Sequence, residues 1–194
     1  MVEERRDFEA QEEKRRKRMK LAGYIAAFVV FQTLVIVVFA LVVMKVKTPK
    51  FRVETLRIQS LTAGNQNSPS FDMAFTAPIR IKNTNFGPYK YDATTIDFTY
   101  GGVQVGQGSI PKSKANMKST KKVDVPVTLS SSALTSTSGL GNELSSGVLT
   151  LNSQGTLSGK VELMFIFKKK KSTNMNCTMT INVSTKTVQS LSCK

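Results

Sequence analysis

The sequence predicts an all-β domain carried behind a single transmembrane helix. Three observations predict it. Leu21 to Met44 forms an apolar run of 24 residues without a charge. Beyond it, apolar and polar residues alternate with period two in segment after segment, the mark of half-buried strands. Between those segments lie clusters of Gly, Asn, Ser and Pro, which punctuate strands with turns.

Residues 1–20 carry 8 Lys/Arg and 6 Asp/Glu without apolar periodicity, and read as a solvated cytosolic tail, helical where it joins the span. The run at 21–44 would reach about 36 Å as a helix, enough to cross a hydrocarbon core of about 30 Å with some tilt. It is too long for the apolar region of a cleaved signal peptide, and Val42-Val43-Met44-Lys45 makes a poor cleavage site, so it reads as an uncleaved signal anchor. Its polar interior residues, Gln32 and Thr33, need partners in lipid. Lys14, Arg15, Arg16, Lys17, Arg18 and Lys20 crowd its N-terminal flank more densely than Lys45, Lys47, Lys50 and Arg52 crowd the other. The N-terminus is therefore expected in the cytosol, with residues 45–194 forming one extracytoplasmic domain. The length of the span suits the plasma membrane, with another endomembrane as the alternative.

Within that domain, Phe51 to Glu54 and Leu56 to Ile58 alternate, and a polar loop at 63–69 follows. Phe71, Met73, Phe75, Ala77, Ile79 and Ile81 then define one face of a long strand, in which Pro78 predicts an edge position or a bulge. Asn83 to Pro88 is a corner rich in Asn, Gly and Pro, with Tyr89 and Tyr91 expected to pack over it. Ile96, Phe98 and Tyr100 lead through a Gly101-Gly102 turn into Val103 to Val105, and Gly106 and Gly108 read as a turn or bulge. Five lysines fall in a basic loop at 112–122, and Val123, Val125, Val127 and Leu129 alternate after it. A Ser/Thr/Gly-rich stretch at 130–147 fits a short helix or an ordered loop. Leu149 to Leu151 reads as a short strand with a turn at Gly155, and Val161 to Phe167, apolar on both faces, as a central strand. Lys168, Lys169, Lys170 and Lys171 are then expected at a turn, as a basic patch open to an anionic surface.

The last hairpin is the most explicit. Cys177, Met179, Ile181 and Val183 share one face. A turn centred on Thr185 would pair Val183 with Thr187, Ile181 with Gln189, Met179 with Leu191 and Cys177 with Cys193, bringing the two cysteines within disulfide range. Asn176 and Asn182 open the triplets Asn-Cys-Thr and Asn-Val-Ser, glycosylation acceptors by pattern, and strand parity puts both on the outward face. Glycans and a disulfide both suit an extracytoplasmic compartment.

The catalytic inventory is thin. The chain has no His, the commonest general base, and the carboxylates beyond the span (Glu54, Asp72, Asp92, Asp97, Asp124, Glu143 and Glu162) are scattered singly. No Gly-rich nucleotide loop appears, and neither a catalytic residue, a metal ligand nor a cofactor is expected. The 20 Lys/Arg against 7 Asp/Glu after the span leave a net +13, which attracts polyanions. Lysines in turns without interleaved aromatics argue against nucleic acid as the partner.

A basic tail, one span, and a β-domain carrying Asn83, Thr84, Asn85, Phe86, Gly87, Pro88 and Tyr89 ahead of Tyr100-Gly101-Gly102 resemble the plant late embryogenesis abundant group-two family, in its membrane-anchored, hydroxyproline-rich, harpin-induced-like branch. The family motif there is Asn-Pro-Asn; Thr84 stands in place of the proline and implies a less rigid corner. The resemblance implies a seven- or eight-stranded sandwich of immunoglobulin or fibronectin-type-III kind, and a role in stress or defence without catalysis. The functional expectation is a basic outer domain that binds a polyanionic wall component or a protein partner. The alternative is a lipid carrier or tether, with an apolar groove lined by Phe71, Phe75, Phe165 and Phe167.

Overall fold

The computed structural model describes residues 2–43, 45–136, 138–163 and 167–193. Two compact units divide the chain, residues 1–45 and 46–194. The first is one helix, α1 (Val2–Val43), which takes in the charged tail as well as the apolar run. Glu, Lys, Arg, Gln and Ala are strong helix formers, and Glu13 pairs with Lys17 one turn on, at 2.8 Å, so the helix has no reason to stop at the charge boundary. From Leu21 to Val42 the apolar side chains are exposed, and the helix is long and apolar enough to cross a membrane. Thr33 meets its polar requirement within the helix, its Oγ1 donating to the Val29 carbonyl at 2.8 Å.

The second unit is all-β and antiparallel. Its strands are β1 (Lys50–Val53), β2 (Arg57–Ala63), β3 (Phe71–Lys82), β4 (Tyr89–Tyr91), β5 (Thr94–Tyr100), β6 (Val103–Ile110), β7 (Ser113–Ala115), β8 (Thr120–Ser130), β9 (Val148–Leu163), β10 (Phe167–Asn182) and β11 (Thr187–Cys193). A short helix, α2 (Ser138–Ser145), occupies the Ser/Thr/Gly-rich stretch, with Leu140 buried. One layer holds β1 and β2 beside β3, then β8; the other runs β6, β5, β9, β10, β11. The layers face each other through Phe75 and Phe98, whose rings meet edge-on at 5.3 Å. They are also hydrogen-bonded along one edge, where Gly106 and Gln107 of β6 pair with Leu129 and Thr128 of β8. The sandwich is thereby closed on that side into a barrel-like sheet of eleven strands among the described residues. The excess over seven or eight comes from a first strand broken into β1 and β2, the short pair β4 and β7, and the added edge strand β11.

Several expectations are corrected. Pro78 is neither at an edge nor in a bulge: β3 pairs along its length with β8, and Pro78 lies opposite Asp124. The missing N–H is tolerated because the strand on the other side is interrupted there, between Val53 and Arg57. Gly155 is no turn. It lies inside β9, where an added Cβ would come 3.2 Å from the Thr95 carbonyl, so glycine permits the close crossing of β5. The segment 161–167 is not one strand: Val161 to Leu163 end β9, Phe167 begins β10 opposite Leu163, and 164–166 lie outside the described residues. Consequently Lys168 to Lys171 are not at a turn but in β10, paired with Glu162, Val161, Lys160 and Gly159.

In the last hairpin, Cys177 pairs with Cys193 and Met179 with Leu191, as read from the sequence. Nearer the turn the register slips: Ile181 faces Val188 and Asn182 faces Thr187, leaving Gln189 as a bulged residue. The pairs Val183–Thr187 and Ile181–Gln189 therefore do not form. Phe71 and Phe75 are buried core residues, whereas Phe167 is 51 % exposed, so these three do not line one groove; Phe165 lies outside the described residues.

Candidate functional site: an asparagine corner and a row of lysines

The corner after β3 is built on two buried amides. Asn83 Nδ2 points at the carbonyls of Gly87 (2.8 Å), Asn116 (3.0 Å) and Ala115 (3.2 Å). Its Oδ1 accepts from both the backbone N–H and the Nδ2 of Asn85, each at 3.0 Å. Asn85 then grips the chain on its way into the domain: Lys47 N–H donates to its Oδ1 at 2.6 Å, and its Nδ2 donates to the Lys47 carbonyl at 2.8 Å. Asparagine suits both places because one side chain offers a donor and an acceptor side by side. The hydrogen bonds supply the restraint that a proline ring would give at Thr84. Gly87 is required for contact, since a Cβ there would run into the Glu162 carbonyl.

Tyr89 and Tyr91 are both buried beside this corner, with ring centroids 6.0 Å apart. The Tyr89 hydroxyl lies 3.1 Å from the Lys171 carbonyl and 3.2 Å from that of Leu157. Burial first, and then the negative charge of Asp92, push it up to about 12, so it remains a protonated donor. Burial also raises Tyr91.

Because β4 lies between β7 and β9, and β9 beside β10, pairing brings distant lysines into line. Lys114 is opposite Lys90, Lys90 opposite Lys160, and Lys160 opposite Lys170. All four are exposed. Paired residues point to the same side of a sheet and strands lie about 4.8 Å apart, so the row is roughly 14 Å long. One carboxylate interrupts it. Glu162 binds Lys90 Nζ at 2.7 Å, with Lys168 Nζ at 3.9 Å. The hydrogen bond from Lys90 holds the Glu162 carboxyl below its ordinary range. A carboxylate lowered in this way adds stability above its unfolded pKa and loses that contribution as pH falls through the folded one, so Glu162 stays ionised in mild acid. Among the described residues Lys114, Lys160 and Lys170 have no carboxylate within 4.0 Å. Like charges directly opposite one another cost stability, and a bound anion would relieve that cost.

An open groove of about 580 Å³ runs beside the row, between Lys160, Lys170 and Lys171, over Ser158, Gly159 and Ser172, with Asp92 also in its wall. The two serine hydroxyls are 3.1 Å apart. Gly159 forms the floor because β4 crosses it; a Cβ there would strike the Lys90 carbonyl. Lysine and hydroxyl donors over a glycine floor can take a carboxylate, sulfate or phosphate.

The predicted patch is thus redistributed. Period two sends Lys168 and Lys170 to one side of β10 and Lys169 and Lys171 to the other, so the four consecutive lysines do not form one surface. Sequence reasoning held Lys114 within the basic loop at 112–122 but missed Lys90 and Lys160. Lys160 is placed opposite Lys170 by the antiparallel pairing of β9 with β10, which a reading of 161–167 as one strand conceals. Cys177 and Cys193 form a disulfide, with Cys177 buried. Asn176 is exposed on the outer face; Asn182 is half-buried, its Oδ1 accepting from Thr185 N–H at 2.8 Å. Among the described residues no three His, Cys, Asp or Glu side chains gather to hold a metal.

This corner and row lie within a segment shared with known proteins. A family model described as late embryogenesis abundant protein matches residues 78–179, from β3 into β10, which takes in the asparagine corner and all four lysines of the row. The Arabidopsis thaliana late embryogenesis abundant protein At1g64065 is 27% identical over 172 residues, 84% of this chain and 79% of its own. Solved structures similar to this chain include the putative late embryogenesis abundant protein At2g46140.1, at 13% identity, over 75% of this chain and 78% of that one, with a TM-score of 0.38. A protein from Archaeoglobus fulgidus covers 64% of this chain and 93% of its own at 12% identity, with a TM-score of 0.35. With more than half its length matched by the family model, and the corner motif inside the match, this chain belongs to the late embryogenesis abundant group-two family.

Proposed function

We propose that this protein is a non-enzymatic, single-span plasma-membrane protein of stress or defence response, whose outer β-domain binds a linear polyanion such as an acidic wall polysaccharide. The observation that carries the reading is the cross-strand row Lys114–Lys90–Lys160–Lys170, with Glu162 set into it and Asp92 in the wall of the adjoining groove. A row about 14 Å long meets several successive charges of an extended polymer, which a compact small anion cannot do. Full-length protein in detergent should be retained on immobilised de-esterified polygalacturonate. Lys160→Gln with Lys170→Gln should weaken retention about tenfold at low ionic strength, at roughly 1 kcal/mol or less per removed contact. The equally charge-reducing pair Lys121→Gln with Lys186→Gln should change it little. Retention should vanish towards 1 M salt, where the screening length is about 3 Å. Retention indifferent to both the row and the salt would reject the proposal.

The basic N-terminal flank and the acceptor triplets at Asn176 and Asn182 support the proposed orientation. With the domain outside the cytosol, enzymatic deglycosylation should increase gel mobility, and Asn176→Gln with Asn182→Gln should abolish the shift. A chain of unchanged mobility from plant membranes would count against that orientation.

A further inference from the structure

We infer that the end of the β-domain where the chain enters it docks onto the anionic headgroup layer of the bilayer that the chain's own helix crosses. The inference rests on reading α1 as a membrane span.

Among the described residues of the domain, four large apolar side chains are exposed: Phe86, Val103, Met117 and Phe167. Three of them gather at one end. Phe86 follows Asn85 directly, and Gly87 beside it lies against Glu162 and Leu163. Phe167 is the pairing partner of Leu163. Met117 precedes Lys118, whose N–H donates to the Asn85 carbonyl at 3.1 Å and whose Nζ stands 3.9 Å over the Phe86 ring. Phe86, Met117 and Phe167 are 41 %, 56 % and 51 % exposed, too much for side chains of a satisfied core.

This end is also cationic. Lys50 and Lys82 are cross-strand partners, and Lys47 and Lys118 are joined to the corner by backbone bonds. Among the described residues none of these four has a carboxylate within 4.0 Å. Apolar tips ringed by lysines match the boundary between acyl chains and anionic headgroups.

Chain connectivity selects the occupant. Asn85 fixes both polar backbone atoms of Lys47, and the apolar run ends at Met44. Only three residues, at most about 10 Å of extended chain, separate Lys47 from the end of the apolar run, so a bilayer crossed by that run is tethered to the domain by a short linker. A protein partner would have to compete with a lipid surface already tethered there.

The chain contains no Trp, so a single introduced indole reports its own depth. Full-length Phe86→Trp and Phe167→Trp would be reconstituted in phosphatidylcholine vesicles with and without phosphatidylserine, with Val103→Trp as reference. Val103 lies next to the Gly101-Gly102 turn, and its neighbourhood on β9 is near Asn152, eleven residues from Leu163 at the corner end. With phosphatidylserine present, brominated lipid should quench the indole strongly in the Phe86→Trp and Phe167→Trp variants, and its emission should shift to the blue. The Val103→Trp variant should stay solvent-like. Equal exposure of all three to a water-soluble quencher, in protein that floats with the vesicles, overturns the docking while leaving the span intact. Quenching that is the same without phosphatidylserine overturns the anionic part. Protein that fails to float overturns the span and the docking with it.

Discussion

Asn83→Ala is expected to lower the stability of the β-domain by about 4 kcal/mol. The amide lies at 1 % exposure and serves two roles at once. Removing it strips donors from a cluster of three carbonyls and leaves the Asn85 N–H and Nδ2 without their acceptor. Each buried polar group left unpaired costs about 1–3 kcal/mol, and the vacated space admits little to replace it. For a domain of this size the loss corresponds to a fall in Tm of roughly 10 °C. Urea unfolding should show a lower midpoint with an unchanged slope. Asn85 loses its orientation too, so trypsin should cut after Lys47 faster in the variant than in the parent chain, under conditions where both are folded. A variant with the parent's midpoint and the parent's cleavage rate would show that the corner does not depend on this amide.

Breaking Cys177–Cys193 is the second large effect. The bridge closes a loop with a sequence separation of 16. The chain-entropy model assigns about 3 kcal/mol to a loop of that length. The loss has a definite address, because among the described residues β11 pairs only with β10 and forms the edge of its layer. In Cys177→Ala with Cys193→Ala, amide exchange should therefore rise first across Thr187–Cys193, ahead of β9 and the rest of β10. The same order should appear when the parent protein is treated with a reductant. Uniform acceleration across the whole sheet would mean that the bridge stabilises the fold globally rather than its edge.

Some of this architecture is legible from side-chain parity alone. The buried face of β3 and the pairing of Cys177 with Cys193 follow from period two and one turn. The bulge at Gln189 does not, because a one-residue slip between Thr180 and Ile181 leaves the composition of both strands ordinary. The sixteen-residue β9 was hidden by Gly155, which reads locally as a turn, and the strand passes through Gly159 as well. Their reason is tertiary: other strands cross there too closely for a Cβ. The lysine row is invisible for the same kind of reason. Its members come from positions 90, 114, 160 and 170 and meet only through long-range pairing, whereas the conspicuous run at 168–171 is split by the pleat. The asparagine motif showed where a corner lies, but not that Asn85 reaches back 38 residues to hold Lys47.

That grip changes how the domain would bear a load. Tension arriving along the chain from residue 45 meets the two Asn85 bonds before it meets β1, which pairs with β3 over only four residues. Asn85 is in turn fixed to Asn83, and Asn83 to the carbonyls of Gly87, Ala115 and Asn116, so the pull is shared among several segments of the fold. A first strand that would otherwise peel away one bond at a time is thereby shielded. A pull applied along the chain from residue 45 is thus carried into the domain at the corner.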